Sequence, residues 1–306
     1  MLIIKIKGWL GNQMFQYAYI RALSLKNNGK FFIDNFRCWK FDRPYRLSIF
    51  NIKWEIAKSS QIPWYEKLWS KDKIRNTVYD IIKRFWWLLN KNHKKEKRNT
   101  PIDKFLCMED NDFDEILMKM KWVSEWYIEW IFQTEKYFLE FKNEILNDLT
   151  FKASISKKTQ KIERIIKDSE SIWIHIRRWD YLQKYWLDRL WMCDIDYYTK
   201  AIDMMKAKYK NPKFFFFSDD IERCRNNFKG NDNYFIDWNT WNNDWQDMYL
   251  LHKCKNNIIW NSTFAWRWAY LNRNPKKIVI CPNKRDVSND ISLKYIIPES
   301  EKWIRC

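Results

Sequence analysis

Glycine is almost missing from this chain: it occurs 4 times in 306 residues, where an ordinary domain at about 7% glycine would hold on the order of twenty. Histidine is scarcer still, with three residues. None of His93, His175 and His252 has a second histidine or a cysteine at metal-ligand spacing, which argues against a metal cofactor. Seven cysteines (Cys38, Cys107, Cys193, Cys224, Cys254, Cys281, Cys306) are scattered and odd in number, with no C-x-x-C pair. They read as reduced thiols rather than a disulfide frame or zinc site. No apolar run reaches the length of a membrane span, and the amino terminus enters a strand-like run without a signal-peptide pattern. Both absences point to a cytoplasmic protein, and there are no internal repeats or low-complexity tracts.

What stands in glycine's place is tryptophan, with 21 residues. The two counts look exchanged, since together they make the usual number of glycines plus a few genuine tryptophans. The composition predicts that many of these positions are glycine in the natural protein, written as tryptophan through a reassigned UGA codon or an equivalent translation choice. The alternative is a chain that is simply rich in tryptophan. Trp9 is the first case. Residues 2–6 form an apolar, β-branched run, Gly8 and Gly11 mark a loop, and Met14, Phe15, Ala18 and Leu23 recur at helical spacing. Strand, loop and helix in that order present backbone N–H groups to a ligand, and a large ring sits where bare backbone is wanted.

The formal net charge of +18 implies an anionic partner. Residues 53–98 hold thirteen Lys and Arg against five Asp and Glu, so this segment alone supplies +8. Its apolar residues recur helically through Ile74, Val78, Ile81, Ile82, Phe85, Leu88 and Leu89, and a basic cluster closes it. Two readings fit: a solvated helical insertion, or docking on an anionic membrane surface. Nucleic acid is not expected, because no binding motif surrounds the charges.

A chain of this length has room for two domains. The first half runs strand, helix, strand (30–33), the basic insertion, a region at 105–120 and a strand-like run at 126–132. The second half alternates regularly: helix 157–168, strand 171–176, helix 196–209, strand 213–217, helix 221–228, strand 233–236, helix 244–254, strand 257–259, helix 263–272, strand 277–281. Alternation of this kind predicts parallel βαβ units and doubly wound sheets, with the domain boundary near 151–155.

Three segments place polar groups at the carboxyl ends of strands, where open α/β sheets take ligands. SIWIHIRRWDYL carries His175, Arg177, Arg178 and Asp180. The arginine forks suit a diphosphate and Asp180 suits orienting an arginine or accepting a proton, although such a group also serves as a surface ion pair. KFFFFSDDIERC ends in Ser218, Asp219 and Asp220, which either cap a helix or accept hydrogen bonds from a nucleoside. IIWNSTFAWRWAYLN brings Asn261, Ser262 and Thr263 to a helix start, as phosphate ligands or as an N-cap. In the first half, Asn12 and Gln13 open the loop-to-helix turn, where they hold sugar hydroxyls or cap the helix.

Together, in this order, the segments resemble the bacterial α-1,2-fucosyltransferases of glycosyltransferase family 11. The resemblance is carried by KGWLGNQMFQYA at 7–18, YIEWIFQTEKYF at 127–138, His175 through Tyr181 (H-x-R-R-G-D-Y in the family), Ser218–Asp220, QDMYL at 246–250 and NSTFAWRWAYLN at 261–272. It spans nearly the whole chain. Trp9, Trp130, Trp179 and Trp268 fall on characteristic family glycines, and Trp191 and Trp260 belong with them, whereas Trp266 matches a family tryptophan. Arg267 replaces a family tryptophan and is not explained in the same way. Literal tryptophans at 9 and 179 would crowd the site, and would be strained if the backbone there took a positive φ.

The resemblance implies a GT-B-like α/β fold of two Rossmann-like domains: 1–152 acceptor-side, with the basic insertion, and 153–306 binding the GDP-sugar. It implies an inverting transferase with no required cofactor or metal, moving L-fucose from GDP-β-L-fucose to the 2-hydroxyl of a galactose-type oligosaccharide or lipid-linked glycan. In that scheme Arg177 and Arg178 stabilise the departing diphosphate and Asp180 is the base. Asp219 or Asp220, with Ser218, reads the guanosine; Asn261, Ser262 and Thr263 take the phosphates; and Asn12, Gln13 and His175 serve the sugar region. Two alternatives stay open: another nucleotide-sugar transferase, or a noncatalytic basic protein of membranes or nucleic acid.

Overall fold

The computed structural model describes residues 2–36, 38, 43–62, 81, 105–107, 126–129, 132–177, 193–240, 243–260, 262–283, 298 and 300–306. They form two compact units, 1–150 and 151–306. Most of the basic segment expected to be helical, 63–80 and 82–98, lies outside the described residues. No helix among the described residues is long and apolar enough to cross a membrane.

In unit 1, β1 (Leu2–Lys5), α1 (Leu10–Asn27), β2 (Phe31–Asp34), β3 (Glu55–Ile56), β4 (Phe105–Cys107), β5 (Trp126–Glu129) and α2 (Lys142–Asp148) follow in sequence. The strands form a parallel sheet in the order β3-β2-β1-β5-β4. All four residues of β1 are buried, as an unbroken apolar run requires when both sheet faces are covered. Helix α1 is buried on most of its circumference, so a single apolar stripe is not its signature. It ends on Asn28 at φ 48°, where the Gly29 N–H reaches back to the Ser24 carbonyl at 3.0 Å in a left-handed cap.

In unit 2, α3 (Lys157–Lys167), β6 (Ser171–Ile176), α4 (Ile195–Lys208), β7 (Lys213–Ser218), α5 (Ile221–Asn227), β8 (Asn233–Ile236), α6 (Trp245–Lys253), β9 (Asn256–Ile258), α7 (Thr263–Leu271), β10 (Val279–Cys281) and β11 (Ile304–Arg305) build a parallel sheet ordered β11-β10-β9-β6-β7-β8. The two short strands β3 and β11 are additions to the sequence reading. Strand β7 holds four consecutive buried phenylalanines. Phe214 and Phe216 face the cluster around Tyr197, Tyr198 and Trp260, and Phe215 stacks on Tyr234 at 5.0 Å on the other face. Each such ring contributes roughly 1.5–3 kcal/mol by leaving water, which makes β7 the core of the unit.

Both sheets reverse direction beside their first strand. In unit 1 the chain runs from β1 towards β2 and β3, and its later strands lie on the far side at β5 and β4. In unit 2 it runs from β6 to β7 and β8, then crosses back to β9 and β10. Parallel α/β sheets open a ligand crevice at the carboxyl ends of the strands flanking such a reversal.

Candidate active site

In unit 2 the reversal lies between β6 and β9, which pair in parallel with Ile174 opposite Ile258. Past the end of β6 comes Arg177; past the end of β9 come Ser262 and helix α7. Ser262 is the N-cap of α7, its hydroxyl accepting the Ala265 N–H at 3.1 Å. The serine orients the helix start whether or not a phosphate sits there. Thr263 opens the helix. His175 is half-buried and leans towards α7, its ring 5.2 Å from Phe264, while its carbonyl accepts the Tyr198 hydroxyl at 3.3 Å. Arg178, Asp180 and Asn261 lie outside the described residues, as do Trp130, Trp179 and Trp191.

At the end of β7 the cap geometry is explicit. The Ser218 hydroxyl accepts the Asp220 N–H at 2.9 Å, and Asp220 caps α5 by accepting the Arg223 N–H at 3.3 Å. Asp219 between them is exposed. A cavity of about 360 Å³ opens beside this edge, with Arg177, Asp220, Arg223, Tyr198 and Trp260 among its walls. The Trp260 ring is buried in the apolar cluster beneath it.

One carboxylate at this edge was not singled out from the sequence. Asp247, in the first turn of α6, accepts the Asn239 amide at 2.7 Å, tying the segment after β8 to the helix. Burial, with the Asp237 charge adding to it against the Asn239 bond, pushes its carboxyl up to about 7. The motif at 246–250 contains Asp247, but only the fold shows the partner eight residues away.

In unit 1 the reversal lies between β1 and β5. Gly8 has φ 77°, and a Cβ there would lie 2.9 Å from the Asn12 amide nitrogen, so this position requires glycine. Trp9 itself has φ −65° and ψ 161°, ordinary extended backbone at the N-cap of α1. The positive φ considered for Trp9 therefore belongs to its neighbour. Neither Trp260 nor Trp268 shows a positive φ, and Trp268 stacks on Phe151 at 5.6 Å inside α7. The Trp9 ring is 46% exposed, with the Arg43 guanidinium 3.8 Å above it. Arg267 is wholly buried, 5.6 Å over the Trp266 ring, and burial lowers it to about 9, leaving it charged at neutral pH.

Gln13 is a brace. Its side chain is fully buried, its amide donates to the carbonyls of Gly8 and Pro44, each at 2.9 Å, and its oxygen accepts the Arg46 N–H at 3.0 Å. Those contacts occupy both amide hydrogens and an oxygen lone pair. These contacts give Gln13 a role in shaping the loop before α1. Asn12 beside it is half-buried and accepts the Gln133 amide at 3.1 Å.

The family model for Glycosyl transferase family 11 matches residues 88–294. The chain is 28% identical over 317 residues to the alpha-1,2-colitosyltransferase of Escherichia coli, covering 99% of this chain and 98% of the relative. It is 29% identical over 307 residues to the O-antigen biosynthesis glycosyltransferase WbnK of Escherichia coli, covering 94% and 95%. Among solved structures, the fucosyltransferase NodZ from Bradyrhizobium matches with a TM-score of 0.52 at 14% identity, covering 94% of this chain and 95% of that one, a likeness of fold alone. Parallel α/β units of the GT-B-like class and a family match across most of the sequence lead to one conclusion: this chain belongs to glycosyltransferase family 11.

Proposed function

We propose that this chain transfers L-fucose from GDP-β-L-fucose to the 2-hydroxyl of a galactose-type acceptor, with inversion, in surface glycan synthesis. The observation that carries the donor half is the pairing of Arg177 and the Ser262-capped start of α7 at the reversal of the unit 2 sheet. A guanidinium and a helix amino terminus both favour negative charge, and that charge grows on the diphosphate as the sugar–phosphate bond breaks. Arg178 adds a second fork. Ser262, Thr263 and Asn261 hold the phosphates, and Ser218, Asp219 and Asp220 lie on the nucleoside side. His175 serves the sugar. The bond from fucose C1 to the phosphate oxygen breaks, a bond from C1 to the acceptor oxygen forms on the opposite face, and Asp180 takes the hydroxyl proton. No metal step enters this scheme. Asn12 lies on the acceptor side, in the loop that Gln13 shapes.

Family membership supports a transferase over a noncatalytic basic protein, and the α-1,2 linkage in the name of one relative and O-antigen biosynthesis in the other support a glycan acceptor. Contact of the basic segment with an anionic membrane face brings such an enzyme to a lipid-linked acceptor. A second reading has a specific basis: the colitosyltransferase likeness runs end to end, and colitose is fucose without its 3-hydroxyl. Nucleotide release from GDP-fucose, GDP-colitose and UDP-galactose at equal concentration separates these readings. Preference for GDP-fucose supports the proposal, preference for GDP-colitose supports the second reading, and turnover of UDP-galactose alone overturns both.

A further inference from the structure

Phe132 has φ 57°, a left-handed conformation that a bulky residue rarely adopts. The Thr134 N–H closes the turn onto the Phe132 carbonyl at 2.8 Å, so Gln133 stands at its apex. Backbone strain of this kind is worth about 1–3 kcal/mol and persists only where packing enforces it. Here the Phe132 ring is fully buried, stacked on Tyr19 at 3.8 Å and edge-on to Tyr137 at 5.4 Å. The turn follows β5, while Gly8 and Asn12 follow β1, and these are the two strands that flank the reversal of the unit 1 sheet. Beneath them, Glu129 at the end of β5 is held by Lys5 at 3.3 Å and Lys7 at 3.0 Å, so the two strand ends are locked together. At that reversal the Gln133 amide donates to the Asn12 oxygen at 3.1 Å, and both side chains are partly open to solvent.

We propose that Gln133 and Asn12 form a two-amide site that reads hydroxyl groups of the acceptor sugar, with Gln133 as a substrate-contact residue. Amides carry donors and acceptors side by side, which matches the dual character of a sugar hydroxyl. Their mutual hydrogen bond fixes both planes before a ligand arrives, so less side-chain freedom is lost on binding. Gly8 serves the same end, because any side chain there would push Asn12 away. The positive φ at Phe132 has a purpose in this arrangement: it turns the chain sharply enough after β5 to bring Gln133 onto Asn12. The proposal rests on the acceptor reading above, and it adds Gln133, a residue outside the motif that carries Asn12.

The test uses the full chain with Gln133→Glu, Gln133→Ala, Asn12→Ala and the double variant. Three quantities are read: lactose binding to the GDP-loaded protein by saturation-transfer NMR, the KM for acceptor, and the KM for donor in acceptor-free hydrolysis. Each single variant is expected to weaken lactose binding and raise the acceptor KM at least tenfold, with the donor KM within twofold. The double variant falls short of the product of the singles, because the residues act as one unit. Lactose binding unchanged within twofold, an equal rise in donor KM, or no lactose binding by the parent protein overturns the site. Gln133→Glu preserves size, so a fold defect would appear as a lowered Tm in Gln133→Ala alone and leave the Glu variant to decide. Failure of the parent protein to use GDP-fucose rejects the donor assignment, and the binding measurement still reads Gln133.

Discussion

The Asn239 amide donates to the Asp247 carboxylate across 2.7 Å, joining the segment after β8 to the first turn of α6. The carboxyl is buried and pushed up from 3.8 to about 7, chiefly by desolvation. Between about pH 4 and 7 the folded protein therefore keeps a proton that the unfolded chain releases, and stability falls as pH rises through that window. Asp247→Asn removes the titration. Denaturant unfolding should show the variant near parity at pH 4 and more stable at pH 8, by up to about 4 kcal/mol at roughly 1.4 kcal/mol per pKa unit. Equal pH dependence in the two proteins would refute this assignment.

Gln13 joins Gly8, Pro44 and Arg46 through three backbone contacts. Gln13→Ala removes three hydrogen bonds to part-buried peptide groups, each with a net worth of about 0.5–1.5 kcal/mol, so a stability loss on the order of 1–3 kcal/mol is expected by urea unfolding. A loss below about 0.5 kcal/mol, within the ordinary range for surface substitutions, would show that the loop holds its shape without the brace.

Gln13 also marks what the sequence could and could not disclose. The β-branched run at 171–176 placed β6 at its observed bounds, because a central strand covered on both faces is largely apolar, and the strand read at 233–236 is β8. Asp220 and Ser262 were legible as cap or ligand, and they cap α5 and α7, while Ser218 accepts the Asp220 N–H. An amide at a helix start is ambiguous in the same way, and its partners at Pro44 and Arg46 are about thirty residues away. Asp247 gains meaning only from its Asn239 partner, and Gln133 only from the turn after β5. Strands β3 and β11, two residues each, are too short for any periodicity to show.

Trp268 is wholly buried between Phe151 and Phe264. If tryptophan is native there, Trp268→Gly opens a cavity and places glycine within a helix, costing about 3–5 kcal/mol for the ring and about 1 kcal/mol for the backbone. The composition and the motif positions predict the reverse outcome: restoring glycine at Trp9, Trp179 and Trp268 together raises activity and keeps the fold. Peptide masses of the protein taken from its own cells decide directly, since glycine at these positions makes the peptides lighter than the written sequence. Masses matching tryptophan at all three would end the glycine reading.

Arg177 stands where the leaving diphosphate is proposed to lie. Arg177→Ala should lower kcat at least 100-fold, about 2.7 kcal/mol of transition-state stabilisation, with circular dichroism and Tm near those of the parent. Turnover within threefold of the parent would remove Arg177 from the chemistry.

The reaction proposed for this chain is fucosyl transfer to a galactose 2-hydroxyl. Its most direct measurement is incubation of the purified protein with GDP-fucose and lactose, followed by NMR of the product. The expected product is a new trisaccharide with an α-anomeric fucose proton and a correlation from fucose C1 to galactose H2. A product linked at another hydroxyl, a retained β-anomer, or no transfer from GDP-fucose under conditions where another nucleotide sugar is consumed would contradict it.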